Sequence, residues 1–211
     1  ESGDLEGARR HYAIALERDP RLDDAHSNLA VLLYDQGEVE QAIAHFEQAL
    51  AIKPDSSHTL FNLGVARKDT RHPEQALACY EKAMAIDPQH HDARWNAALV
   101  LLSMGEFERG WTLYESRFLR KGRKPLQETP YPLWHGESLA GKRLLIQAEQ
   151  GYGDTIQIAR YLETLDALGA KCCFQCHDSL MTLIKRSYPK ATVIPSNVCP
   201  LDLDYRIPMM S

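Results

Sequence analysis

Four groups of residues have the types and spacing for chemistry. The first is a set of carboxamides: Asn28, Asn62 and Asn96 recur at 34-residue intervals. A carboxamide carries two donor hydrogens and an acceptor oxygen, so it can hold the backbone of an extended polypeptide without reading its side chains. The second is the run Gln150-Gly151-Tyr152-Gly153-Asp154, in which two glycines let backbone approach a ligand and an acid stands at the start of a predicted helix. A dinucleotide fingerprint requires a third small residue at 156, and Ile156 stands there, which argues against a nicotinamide cofactor. The third, Cys173, Cys176 and His177, has the spacing of zinc ligands. A strand, however, sends Cys173 and Cys176 to opposite faces, so core packing is the expected role. The fourth, Asp202-Leu203-Asp204, has the form of a short acidic metal motif but is common by chance, and neither a metal nor a resident cofactor is expected in this chain.

The composition narrows the partners. With 211 residues, 44% hydrophobic and 25% charged, the chain has ordinary globular values and enough material for one large or two modest domains. Its net charge of −5 lacks the basic footprint of a nucleic-acid binder. No stretch approaches the roughly 20 apolar residues that cross a bilayer, and ESGDLEGARR has neither a basic nor an apolar leader region. Five cysteines, an odd number including adjacent Cys172 and Cys173, fit a reducing compartment, and a cytoplasmic location is expected. Both ends read as cuts within a longer protein.

The asparagines need elements that present them on one face. Pro20, Pro54 and Pro88 share the 34-residue interval and divide residues 1–120 into a partial repeat (1–22), two full repeats (23–56 and 57–90) and a divergent one (91–120). Leu29, Ala30 and Leu33, then Ala42, Phe46 and Ala49, have helical spacing around a turn at Gly37. Leu63, Gly64, Ala76, Tyr80 and Ala83 echo them. Ala30 and Gly64 allow close helix approach, and Phe46 and Tyr80 fill the space between hairpins, so the expected fold is an α-solenoid in which stacking buries each hairpin.

On AHSNLAVLLYDQGEVEQAIAHFEQALAIKP and LFNLGVARKD…PEQALACYEKAMAIDP the chain resembles the tetratricopeptide-repeat (TPR) family, closest to the repeats of O-linked N-acetylglucosamine transferases. The resemblance implies a concave groove lined by the first helix of each repeat, which holds a polypeptide or protein partner. The groove positions are then Asp24, Ser27 and Val31, His58, Phe61 and Val65, and Asp92, Trp95 and Leu99, with Asn28, Asn62 and Asn96 beside them. None is a fixed cation, which disfavours capture of a carboxylate and favours backbone capture with aromatic contact from Phe61 and Trp95. The alternative is that the asparagines set repeat geometry. Two departures stand out: His72-Pro73 replaces the turn glycine, and Gly110 and Arg117 occupy positions expected to be alanine. The last hairpin, GEFERGWTLYESRF, is therefore expected to be an adapter, and His90-His91 an exposed loop.

Arg117, Arg120, Lys121, Arg123 and Lys124 form a basic run before Pro125, expected to complement a helix dipole in solvent. Residues 121–140, with Pro130 and Pro132, read as a linker whose Trp134 packs onto the second domain. From 141 to 211 the pattern alternates: RLLIQAE as a strand, a helix over TIQIARYLETLDALG, AKCCFQC as a strand, SLMTLIKRSY as a helix capped by Asp178, and ATVIP as a strand. This order implies a parallel sheet, a partial α/β Rossmann-like domain with its chemistry in the loop after the first strand. On Gly153-Asp154 within KRLLIQAEQGYGDTIQIARYL it resembles the heptosyltransferase-like glycosyltransferases of GT-B architecture, and the whole resembles bacterial proteins joining TPRs to such a domain. That resemblance implies Asp154 as a general base toward an acceptor hydroxyl, Gly151 and Gly153 shaping the loop, and a nucleotide-sugar donor held by a domain outside this stretch, which would be inactive alone. The alternatives are Asp154 as a helix cap and the whole as a non-catalytic TPR scaffold.

Overall fold

In the computed structural model, which describes residues 2–120, 129–149 and 151–210, the 34-residue period folds as helical hairpins. α1 (Ser2–Arg18) packs on α2 (Asp23–Asp35), which pairs with α3 (Val39–Ile52). α4 (Ser57–Asp69) pairs with α5 (Pro73–Ile86), and α6 (His91–Ser103) with α7 (Phe107–Tyr114), which continues into a 3-10 helix over Glu115–Leu119. These helices belong to one unit, Glu1–Arg123, and the rest of the chain to a second, Lys124–Ser211. Ala30, Leu33, Ala42 and Phe46 form one core cluster of the first unit, and Ala76, Tyr80, Ala83, Ala93 and Ala97 another, all at most 2% exposed. Tyr80 is the larger filler, and its partner is correspondingly smaller. A Cβ on Gly64 would lie 2.5 Å from the Tyr80 ring, where the neighbouring hairpin pairs Ala30 with Phe46.

The turns obey the same period. Gly37, Arg71 and Gly105 all adopt left-handed backbone, with φ of 83°, 61° and 83°. The amides of Glu38, His72 and Glu106 reach back to the carbonyls of Leu33, Arg67 and Leu101 at 2.8–2.9 Å. This bonding closes the end of each first helix. The residue replacing the turn glycine is therefore Arg71, not His72-Pro73. Pro73 is the first residue of α5, where its missing N–H costs nothing. Left-handed backbone strains any side chain with a Cβ. Arg71→Gly is expected to stabilise the first unit by about 0.5–1 kcal/mol; an unchanged or lower melting temperature by circular dichroism would contradict the strain.

The divergent hairpin departs for a packing reason. A Cβ on Gly110 would come within 2.8 Å of the Leu102 side chain, so α7 crosses α6 closely only because glycine is there. Arg117 is 7% exposed, and its guanidinium lies over the Tyr114 and Phe118 rings at 4.7 and 4.0 Å and pairs with Glu115. It is thus packed and paired, and not a solvated dipole complement. Lys121, Arg123 and Lys124 of the same run lie outside the described residues. His90-His91 is likewise no exposed loop: both are half-buried, and His90 Nδ1 accepts the Ala93 amide at 3.2 Å as the cap of α6.

His26 and His45 join α2 to α3, with Nδ1 atoms 3.0 Å apart. His26 Nε2 lies 3.1 Å from the Pro20 carbonyl. A carbonyl only accepts, so neutral His26 carries its proton on Nε2 and accepts from His45 at Nδ1. Burial, and then the proximity of His26, push the His45 pKa below its ordinary value. The unfolded chain therefore binds this proton more readily, and stability is lost as pH falls from about 6.5 through the lower folded value. Melting temperature should hold above pH 7 and decline toward pH 5.5, with a shallower decline in His45→Gln; parallel profiles would remove His45 as the cause.

The second unit is built on four parallel strands. β1 (Arg143–Gln147) leads to α8 (Tyr152–Ala159) and α9 (Tyr161–Ala167), and β2 (Lys171–Cys176) to α10 (Asp178–Ser187). β3 (Thr192–Pro195) and β4 (Tyr205–Pro208) complete the sheet, in the order β3-β2-β1-β4. Leu144 pairs with Cys172 on one side and Tyr205 on the other. β1 and β2 are buried on both faces, as continuous apolar runs in parallel sheets are. Cys172, Phe174 and Cys176 enter one cluster, while Cys173 joins Leu145 and Leu203 in another. The single predicted helix after β1 starts earlier, at Tyr152, and is interrupted at Arg160. Asp178 opens α10 as its first residue, with His177 at the cap position and no side-chain capping bond.

Two features of this unit were not legible in its periodicity. β4 forms from the terminal DYRIP stretch. Asp204, at its start, accepts the Arg143 amide at 2.8 Å and Lys142 Nζ at 2.9 Å. The amide first, and then Lys142, hold its carboxyl below the usual range. Asp204 of the Asp202-Leu203-Asp204 stretch therefore latches β4 to β1. Residues preceding the sheet also join it: the Trp134 amide donates to the Arg206 carbonyl and the Arg206 amide to Pro132, both at 2.9 Å, and the Trp134 ring packs on the larger cluster. Among the described residues no helix is long and apolar enough to cross a membrane.

Candidate functional site

α4 touches both α2 and α6, so the first helices of the three hairpins form one continuous face. Polar bridges cross it. Ser27 and Thr59 hydroxyls meet at 3.1 Å, Tyr34 donates to Asp69, and Lys68 Nζ reaches Asn96 Oδ1 at 3.5 Å. Burial, then the Asp69 contact, pushes the Tyr34 phenol up to about 12. Lys68 is a cation on this face that the sequence pattern does not reveal, because it falls one turn beyond the groove positions of the repeat.

The three asparagines sit at different depths. Asn28 is exposed, Asn62 is half-buried with Nδ2 3.2 Å from His58 Nε2, and Asn96 is 7% exposed. Asn96 Nδ2 donates to the Asp92 carbonyl one turn back at 2.9 Å. Part of its bonding capacity is thus spent within the chain. The two aromatic residues are also engaged. The half-buried Phe61 ring lies 4.9 Å from His90 and 6.0 Å from Tyr80. Trp95 lies under the Arg120 guanidinium at 3.9 Å, and Arg120 Nε donates to Asp92 Oδ1 at 2.6 Å. His90 caps the start of α6 and Arg120 caps the end of the 3-10 helix that follows α7, and only folding brings them against Phe61 and Trp95.

In the second unit, the strand order reverses at β1, whose neighbours are β2 on one side and β4 on the other. The loops at the carboxyl ends of these strands meet. The Tyr152 ring stands edge-on to His177 with centroids 4.7 Å apart, and Glu149 Oε1 accepts the Met210 amide at 2.7 Å. Gln150 lies outside the described residues. Asp154 is half-buried, the third residue of α8, and the helix cap position belongs to Gly151. The Thr155 hydroxyl, fully buried, donates to the Gly151 carbonyl at 2.9 Å. A Cβ on Gly151 or Gly153 would meet nothing within 4 Å, and neither has left-handed backbone. Packing among the described residues therefore does not demand glycine at either position.

Among the described residues no group of three or more His, Cys, Asp and Glu side chains could hold a metal ion. Burial pushes the Cys172 and Cys173 thiols up to about 11, far from reactive thiolates. A cavity of about 330 Å³ opens instead at the amino ends of the strands, between α9, Cys172 and the Tyr188–Ala191 turn, with Lys190 and Asp166 paired at 2.6 Å on its lining.

Known proteins resemble the helical unit. The tetratricopeptide-repeat family matches residues 21–89 and again 61–123. Over 100 residues the chain is 37% identical to protein FlbA of Caulobacter vibrioides, covering 46% of this chain and 17% of FlbA; it thus spans under a fifth of that relative's length. A crystal structure of MamA superposes with a TM-score of 0.53 at 27% identity, over 57% of this chain and 70% of that one. YrrB, a TPR protein with an unusual peptide-binding site, superposes with a TM-score of 0.51 at 21% identity over 55% of this chain and 59% of that one, a likeness of fold. Family matches, structural likeness and the recurring left-handed turns agree: residues 21–123 of this chain are tetratricopeptide repeats.

Proposed function

We propose that the first unit binds an extended polypeptide along the face of α2, α4 and α6. The observation that carries this reading is the continuity of that face, on which Asn28 is exposed and Asn62, Phe61 and Trp95 are half-buried. Carboxamides bonding a partner's backbone give affinity with little side-chain demand, and flanking rings add contact area. Its peptide-binding fold relative YrrB and its family membership over residues 21–123 are consistent with this role. Peptides selected by display and titrated into isotope-labelled protein should shift resonances of α2, α4 and α6; a footprint confined to α3, α5 and α7 would remove the reading.

A second reading concerns the α/β unit, as the acceptor-side Rossmann-like half of a nucleotide-sugar-dependent glycosyltransferase. It is supported by the reversal of strand order at β1, the place where open α/β sheets hold ligands. It is supported too by two glycines beside Asp154 that packing does not require. In this reading Asp154 takes the acceptor hydroxyl's proton as that oxygen bonds the sugar's anomeric carbon and the bond from that carbon to the nucleoside diphosphate breaks, releasing the diphosphate. Gly153→Ala should leave the fold intact. In a protein that also carries a donor-binding domain, Asp154→Asn should reduce sugar transfer by about 100-fold or more; undiminished transfer would exclude Asp154 as the base and leave the non-catalytic scaffold as the better account.

A further inference from the structure

Arg120 stands 34 residues after Ile86, which stands 34 after Ile52. The two regular hairpins thus use isoleucine at this position, and solenoid packing does not call for an arginine. In the last hairpin the side chain turns onto the groove face instead. Its guanidinium carbon lies over the Trp95 ring, 3.9 Å from the centroid, with Nε 2.6 Å from Asp92 Oδ1, and only 20% of the side chain is exposed. An aromatic face beside a carboxylate is the chemistry that recognises a guanidinium: the ring attracts the cation, and the carboxylate takes its in-plane N–H groups. Lysine, a point charge without the planar fork, matches such a pair less well. Asp69, which Tyr34 reaches, and Asp92 are carboxylates of this face, beside the cation Lys68.

We propose that Asp92 and Trp95 form an arginine seat at the end of the repeat groove, filled within the chain by Arg120, and that the polypeptide partner enters by placing its own arginine there. The proposal rests on the groove-binding reading above. Arg120 then acts as an intramolecular competitor, lowering apparent affinity by the fraction of molecules in which the seat is free.

The test is a random decapeptide library panned on the wild-type chain and on Arg120→Ile, which installs the residue of the regular hairpins. Circular dichroism of each variant confirms folding, and Arg120→Gln serves if the isoleucine variant does not fold. The expected result is that Arg120→Ile selects peptides with a recurrent arginine. Such a peptide should bind the variant about tenfold or more tighter than wild type and lose its advantage when that arginine becomes glutamine or when Asp92→Asn is added. Selected peptides without arginine preference would overturn the seat while leaving the groove reading intact. Failure of both proteins to select any peptide would overturn the groove reading and the seat with it.

Discussion

Tyr80→Ala should lower the stability of the repeat unit by about 3–5 kcal/mol, while Tyr80→Phe leaves it unchanged or raises it by up to about 1 kcal/mol. Tyr80 is fully buried between hairpins, against Gly64 and in one cluster with Leu60, Ala76, Ala83, Ala93, Ala97 and Val100. Its removal leaves a cavity lined by both sides of a repeat interface. In a solenoid that interface is what couples neighbours, so the loss should also broaden the unfolding transition. The hydroxyl behaves differently. Tyr80 Oη is buried and has no hydrogen-bond partner among the described residues, so it carries a desolvation cost with no bond to offset it. Phe46 fills the homologous place without a hydroxyl. Urea unfolding followed by circular dichroism separates the cases; a loss above about 1 kcal/mol in Tyr80→Phe would show that the hydroxyl has a bond.

The second large effect is on binding. Replacing Asn28 and Asn62 together by alanine should weaken a groove-bound peptide by about 10- to 100-fold, the loss of two to three net hydrogen bonds, with the melting temperature unchanged. Both side chains are at or near the surface, so the fold should hardly register the change. Asn96→Ala should behave in the opposite way. That residue is buried and tied to the Asp92 carbonyl and Lys68, and its removal should cost about 1 kcal/mol of stability. Calorimetric titration beside thermal melts of the same variants reads both quantities. If Asn28 and Asn62 also cost stability, the asparagines serve repeat geometry alone.

Identical type and identical spacing locate these three residues on one helix face by periodicity, but not at one depth. Depth differs with local contacts: Asn96 is 7% exposed and bonded to the Asp92 carbonyl and Lys68, while Asn28 is exposed. The glycines at 151 and 153 illustrate the converse: nothing within the described fold requires them, so packing among the described residues does not account for their type.

By itself the sequence determined what is local and periodic. The 34-residue interval set the hairpins, their small and large packing positions and the asparagine face, and the change to strand and helix alternation set the parallel sheet. Each is a pattern read along the chain with a physical period, 3.6 or 2. Tertiary structure alone decided which distant groups meet. It brought Arg120 onto Trp95 and Asp92, His90 onto Phe61, and Asp204 onto Lys142 and the Arg143 amide. Such contacts join residues tens of positions apart through packing of whole elements, and no periodicity along the chain records them.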